Sequence, residues 1–282
     1  MNNRINILIT SILSVFVLSC CNTEIDGPYL EGGNNLKPID SGSVKKVLLE
    51  DYTGFTCGNC PKAAIEAHRL IEAYPDKIIV MAVHAGNYAE PNTTHTYDFR
   101  TETGTEWDSF FGNSAAGNPN GMVSRKGFLE SEHILRFAGW EQVVQKTLSE
   151  TPKVTLELVA LFFEESREIL AFVSYNYLQS QEKYNNLIIS IIEDSVVEYQ
   201  TDYTQVPKDI EDYVHNHVLR KTLNGPWGDK LLTQGGTKIY KYRIPENSDW
   251  RPEKLKIVAF ISDVGNTYEV IQAEEADLIE DE

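Results

Sequence analysis

Two thiols separated by two residues, Cys57-Gly58-Asn59-Cys60, are the side chains in this sequence best suited to do chemistry. A pair at that spacing closes a short disulfide or supplies half of a zinc site. Only four cysteines occur, at 20, 21, 57 and 60, so there is no second Cys-x-x-Cys, and a zinc ion would have to draw on His84 and His95. Pro61 follows the second thiol and suits the first turn of a helix. The first thiol then sits at a helix N-terminus, where unpaired N–H groups and the positive dipole end favour a thiolate. Thiolate is the form that attacks disulfides. A purely structural bridge more often closes a long loop. The pair therefore reads as redox-active, with a structural disulfide as the alternative.

The flanking pattern indicates how the pair is held. Lys45 to Tyr52 reads as a strand. After Pro61, the apolar positions Ala63, Ala64, Ala67, Leu70, Ile71 and Tyr74 recur at helical spacing, and Pro75 stops the helix. Lys77 to Val83 is a continuous apolar run, as in a strand buried on both faces of a parallel sheet. Strand, helix, strand makes a right-handed βαβ unit whose strands end on one edge of the sheet. His84, just past the second strand, is thereby brought near the Cys57 loop as a candidate site residue. Further on, Tyr97 to Phe111 reads as a helix interrupted at Gly104. Gly117 to Val123 reads as a loop and short strand, and a further helix is expected from Phe128.

This half of the chain resembles a thioredoxin-fold domain. Cys-Gly-x-Cys after a strand matches the redox motif of that superfamily. The resemblance implies that Asp51, six residues before Cys57, is a buried acid near the resolving Cys60. It also implies that Asn118-Pro119 is a cis-proline loop facing the thiols. Thr56 and Asn59 depart from the usual Trp and Pro, and residues at those positions tune thiolate stability.

From residue 153 the period changes to two. Strands are expected over Val154–Phe163, Ile169–Leu178, Leu187–Ile192, Lys238–Ile244, Leu255–Ile261 and Tyr268–Ile271, separated by turn signals such as Asn185-Asn186 and Gly235-Gly236. Such a series suggests an antiparallel β-sandwich of immunoglobulin type. His215 and His217, two apart, would share one strand face, but no third metal ligand accompanies them, so they read as structural or surface histidines.

At the N-terminus, Arg4 precedes an apolar run from Ile5 to Leu18 that is too short to span a bilayer and reads as a signal-peptide core. Val17-Leu18-Ser19-Cys20 resembles the lipobox of bacterial lipoproteins, which implies lipidation of Cys20. Residues 22–43 are rich in Gly, Asn, Asp and Pro, as in a flexible tether. The formal net charge of −17 over 282 residues opposes nucleic acid and anionic headgroups.

With the lipobox, the segment Tyr213 to Arg220 and Gly225-Pro226-Trp227-Gly228 make the chain similar to the Omp-twenty-eight-related outer-membrane lipoproteins. That resemblance implies an α/β thioredoxin-like domain plus an all-β immunoglobulin-like sandwich. The expected divisions are a signal peptide at 1–19, a lipidated tether at 20–43, the thioredoxin-like domain at 44–150 and the sandwich at 153–282. The expected location is the outer membrane, held by lipid and facing the periplasm or the cell surface. The expected site comprises Cys57 as nucleophile, Cys60 as resolving thiol, Asp51 as proton carrier, Pro119 and His84, without cofactor or metal. The expected activity is thiol–disulfide exchange on envelope or surface proteins. The alternative is an adhesin or binding module in which the cysteines form a structural bridge.

Overall fold

The structure, a computed structural model, describes residues 44–180 and 183–280. The apolar run before the thiols forms β1 (Val47–Thr53), buried along its whole length. The helix that follows is α1 (Cys60–Ala73), and it crosses to β2 (Ile78–His84), which is equally buried and parallel to β1. Both strands lie between two apolar layers, so their sequences run apolar without alternation. On one side, Val47, Leu49, Ile78 and Val80 pack under Ala63, Ala67 and Leu70 of α1. Trp140 and Val144 of α3 (Trp140–Leu148) join that layer. On the other side, Leu48, Tyr52, Ile79, Met81 and Val83 meet Trp107 and Phe111 of α2 (Glu102–Phe111). The short strand β3 (Asn120–Val123) pairs antiparallel with β1 on its free edge, and the Asn118–Pro119 bond that enters it is cis.

Two expectations are corrected here. α2 passes through Gly104 without a break, with the Gly104 amide donating to the Thr101 hydroxyl at 2.9 Å as an N-cap. The helix expected from Phe128 starts only at Trp140. The reason lies in Ser131, which takes positive φ, and in Leu135, which exchanges backbone hydrogen bonds with Gly121 at 2.8 and 2.9 Å, so that this stretch follows β3 instead of coiling. Just before it, Arg125 is fully buried and forms a two-pronged ion pair with the fully buried Glu50 at 2.8 and 2.9 Å.

The second half forms β4 (Val154–Phe163), β5 (Glu168–Tyr177), β6 (Asn186–Glu193), β7 (Val196–Thr201), β8 (Asp209–His215), β9 (Val218–Thr222), β10 (Asp229–Lys230), β11 (Gly235–Arg243), β12 (Leu255–Ser262) and β13 (Val270–Glu280). The sheet order is β11-β5-β4-β13-β12-β6-β9-β2-β1-β3, with β10 also paired to β6. The fold is thus mostly β, with one large mixed sheet and a few helices. Two features differ from an isolated antiparallel sandwich. β13 runs parallel to β4, with Leu278 opposite Ala160. The sheet also continues through β9 into β2, where Ala82 lies opposite Val218.

Burial explains the sequence texture of these strands. β4 and β5 alternate buried and half-exposed residues because only one of their faces meets apolar neighbours. β6 and β12 read as continuous apolar runs because both faces are covered. Leu187, Ile189, Ile191, Ile257 and Ala259 enter one core, while Ile188, Ile192, Val258 and Phe260 enter the core shared with β1, β2 and α2. Each such side chain stabilises the fold by roughly 1.5–3 kcal/mol, so the shared layer ties the two halves of the sequence firmly together. β7 and β8 stand apart as a two-stranded hairpin. Among the described residues, no helix is long and apolar enough to cross a membrane.

Candidate redox site

Cys57 and Cys60 are joined as a disulfide at the start of α1. The Cys60 amide donates to the Cys57 carbonyl at 3.0 Å and the Lys62 amide to the Asn59 carbonyl at 3.1 Å, which winds the loop directly into the helix. Pro61 fills the first turn, where no donor is required. On the strand side, the Cys57 amide donates to the Gly54 carbonyl at 3.0 Å and the Thr56 amide to the Tyr88 carbonyl at 3.1 Å. Any Cβ at Gly54 would lie 2.4 Å from the Tyr88 carbonyl carbon, so only glycine lets this turn seat.

Behind Cys60 lies a cavity of about 240 Å³, lined by Asp51, His84, Gln200, Tyr213, His215 and His217 among others. Asp51 shares the α1-facing side of β1 with Val47 and Leu49. It is buried, its Oδ1 has no hydrogen-bond partner, and burial pushes its carboxyl up to about 7. His84 ends β2 opposite Thr53 and is buried. Its ring stacks on Phe99 at 4.3 Å and lies 5.6 Å from that of His215, and neither ring nitrogen has a partner. Burial, with the neighbouring His215 and the Arg220 guanidinium adding to it, holds its imidazole well below the ordinary value.

His215 is also buried, which lowers it to about 4 despite its 3.3 Å contact with the Tyr199 carbonyl. The expectation that His215 and His217 share a strand face is corrected. β8 ends at His215, and His217 follows in a turn with φ of 57°. There its amide donates to Asp194 at 2.7 Å, while its carbonyl accepts from the Ala82 amide at 2.8 Å. Both histidines nonetheless line the cavity. His95 does not; it stacks on Tyr199 at 3.5 Å. Among the described residues, no three His, Cys, Asp or Glu side chains converge as a metal site.

Pro119 is buried one residue before Asn120, which pairs with Tyr52. That register sets it opposite Thr53, on the sheet edge from which the Cys57 loop departs. Its carbonyl accepts from Arg136 at 3.2 Å. Cys20 lies outside the described residues, as do the lipobox and the tether.

Sequence reading missed the hairpin β7–β8, which lies against the disulfide loop. Thr201 donates to the Phe55 carbonyl at 2.8 Å, Tyr203 to the Gly58 carbonyl at 2.8 Å, and the Gln200 amide side chain to the Cys57 carbonyl at 3.1 Å. Cys57 and Cys60 are only 3% and 2% exposed. No local signal identifies these partners, because they lie some 140 positions away and act mainly through backbone atoms.

A model of the family described as outer membrane protein Omp28 matches residues 106–282. HBP35 of Porphyromonas gingivalis has a similar structure at 17% identity and TM-score 0.62, covering 84% of this chain and 76% of its own. Protein AGR_C_4864 from Agrobacterium tumefaciens is similar at 11% identity and TM-score 0.51, covering 82% and 94%. A domain of the outer membrane lipoprotein Omp28 from Porphyromonas gingivalis matches at 20% identity and TM-score 0.35, covering 47% and 93%. No curated protein matches the chain.

Proposed function

The chain belongs to the Omp28 family of outer-membrane proteins, and from that premise we propose that it is an envelope lipoprotein performing thiol–disulfide exchange at Cys57 and Cys60. The observation that carries this reading is the cavity behind Cys60, which holds a buried, unpaired Asp51 with its carboxyl raised to about 7. A carboxyl tuned to that range can take up and return a thiol proton near neutral pH. Starting from the dithiol, the Cys57 thiolate attacks one sulfur of a substrate disulfide. The substrate S–S bond breaks, a mixed disulfide forms, and a substrate thiolate leaves. Cys60 then passes its proton to Asp51, and its thiolate attacks the Cys57 sulfur. The second substrate thiolate leaves, and Cys57–Cys60 closes as a disulfide while the substrate is reduced by two electrons. The reverse sequence oxidises a substrate dithiol.

Cys57 lies one turn before α1, where the helix dipole and free N-terminal amides would favour its thiolate once the pair is reduced. His84, neutral and unpaired, keeps the cavity wall polar without adding charge. The parallel β1-α1-β2 unit and the antiparallel β3 support a thioredoxin-like reading of residues 44–150, with Pro119 flanking the substrate peptide. The core of β4, β5, β6 and β12 supports a sandwich-like reading of residues 153–282. A signal peptide at 1–19 would direct export and be removed, and a lipid on Cys20, at the start of the tether, would hold the protein on the outer membrane. Its partners would be envelope or surface proteins.

One observation favours the second reading, a binding module with a structural bridge: the thiols are almost wholly covered. Mass-tagged redox titration with Cys57→Ser and Cys60→Ser forms separates the two. For exchange, the pair titrates between about −120 and −270 mV, and Cys60→Ser traps mixed disulfides that Cys57→Ser does not. A pair that stays oxidised below about −300 mV, with nothing trapped, decides for the structural bridge.

A further inference from the structure

Resting on the exchange reading, we propose that the hairpin β7–β8 is a lid over the disulfide, and that Cys57 becomes reactive only when the lid lifts. Among the described residues the hairpin pairs with nothing but itself in sheet terms, and its strand register is broken between Glu198 and Gln200. Its far end is a polar, solvent-exposed loop at 203–208, closed by a 2.7 Å bond from the Asp202 amide to the Lys208 carbonyl. An element with few apolar contacts and exposed backbone bonds opens at lower free energy than a core strand.

What the lid covers is specific. The Thr201 and Tyr203 amides occupy the carbonyls of Phe55 and Gly58, and the Gln200 side chain occupies that of Cys57, so each carbonyl along the disulfide loop that the hairpin reaches is already engaged. The Tyr203 ring lies directly on Gly58, where a Cβ would come 2.4 Å from ring carbons. Glycine at that position is therefore what allows the ring to seat. Yet Tyr203 itself is 63% exposed, so its outer face is in water and can be peeled away without opening a core. At the hinge end the hairpin is better held: Val196 packs with Phe55, Phe99 and Val218. The arrangement gives a fixed base and a loosely held tip over Gly58, between the two cysteines. Attack on a disulfide needs approach along the S–S axis, and both cysteines are almost wholly buried while the tip is closed.

The test is the rate at which a phosphine, tris(2-carboxyethyl)phosphine, reduces the disulfide in the full chain. This reduction is irreversible, so the rate does not depend on the potential of the pair. Tyr203→Ala should be reduced at least about tenfold faster than wild type, with its redox potential unchanged, since losing one closed-state contact shifts the opening equilibrium by about that factor. Val206→Ala, at a fully exposed position on the same loop, should match wild type. Equal rates for wild type and Tyr203→Ala overturn the lid. In wild type, the Thr201 and Tyr203 amides should exchange hydrogen well before those of β6 and β12; exchange only through global unfolding likewise overturns it. Faster reduction of Tyr203→Ala with no trapped partner keeps the lid and discards the exchange activity. Trapped partners with equal reduction rates do the reverse.

Discussion

Asp51→Asn isolates the chemistry buried behind Cys60. The carboxyl rises from 3.8 to about 7 because burial withholds water from its charged form and no cation stands in for it. A raised folded-state pKa means that the native state holds the proton more tightly than the unfolded chain. The stability tied to that proton is fully present below about pH 4 and is lost as pH rises through 7. Over the whole range the shift corresponds to about 4 kcal/mol, at 1.36 kcal/mol per pH unit. Between pH 5 and 8.5 the wild type should lose about 3 kcal/mol through this group alone. Asparagine is isosteric and cannot ionise, so that slope disappears. Its amide lacks partners in the same pocket, which costs about 1–3 kcal/mol at every pH. By pH 5 the wild type has already lost about 1.7 kcal/mol of that 4, so the variant should lie within about 1.5 kcal/mol of it there and be more stable by about 1–3 kcal/mol at pH 8.5. Urea unfolding of the disulfide form at the two pH values, compared at equal m, reads the difference directly. If the variant and the wild type lose stability in parallel to within about 0.5 kcal/mol, Asp51 does not titrate in this range, and its role as proton carrier fails with it.

His215 has the opposite sign. Burial lowers it to about 4, so its contribution is present above 6.5 and is lost as pH falls through 4; His215→Gln should flatten acid unfolding by about 3 kcal/mol across that window. Arg125→Met leaves the buried Glu50 without its ion-pair partner and removes the guanidinium from over the Trp107, Phe111 and Phe260 rings, and thermal or urea unfolding should register a loss of about 3–5 kcal/mol. Cys20→Ser should shift the protein from the detergent to the aqueous phase on partition and remove the acyl mass from the mature chain.

The sequence by itself determined the parts of this protein that depend on near neighbours. Strand, thiols, proline and amphipathic helix follow one another within thirty residues, so β1, α1 and β2 and the seat of the disulfide were legible from spacing alone. The parallel pairing that brings His84 beside the Cys57 loop follows from the handedness of a βαβ unit, which is a local steric rule. The strands β4, β5, β6 and β12 were legible for the same reason, through period two or an unbroken apolar run.

Tertiary structure decided everything that rests on distant partners. Glu50 and Arg125 carry no mark in the sequence of being an inward-facing pair, and the bridge from Leu135 to Gly121 replaces a helix that local propensity favoured. The runs in β6 and β12 announce burial on both sides, but not that one side belongs to the layer under β1 and β2. β7 and β8 are short and amphipathic, and their hold on the disulfide loop comes mainly from main-chain amides and carbonyls, which every residue type supplies equally. Hydrogen bonds of that kind leave no trace in side-chain chemistry. The burial of the two thiols, and with it the control of their reactivity, is thus set by the path of the chain and not by the residues around the motif.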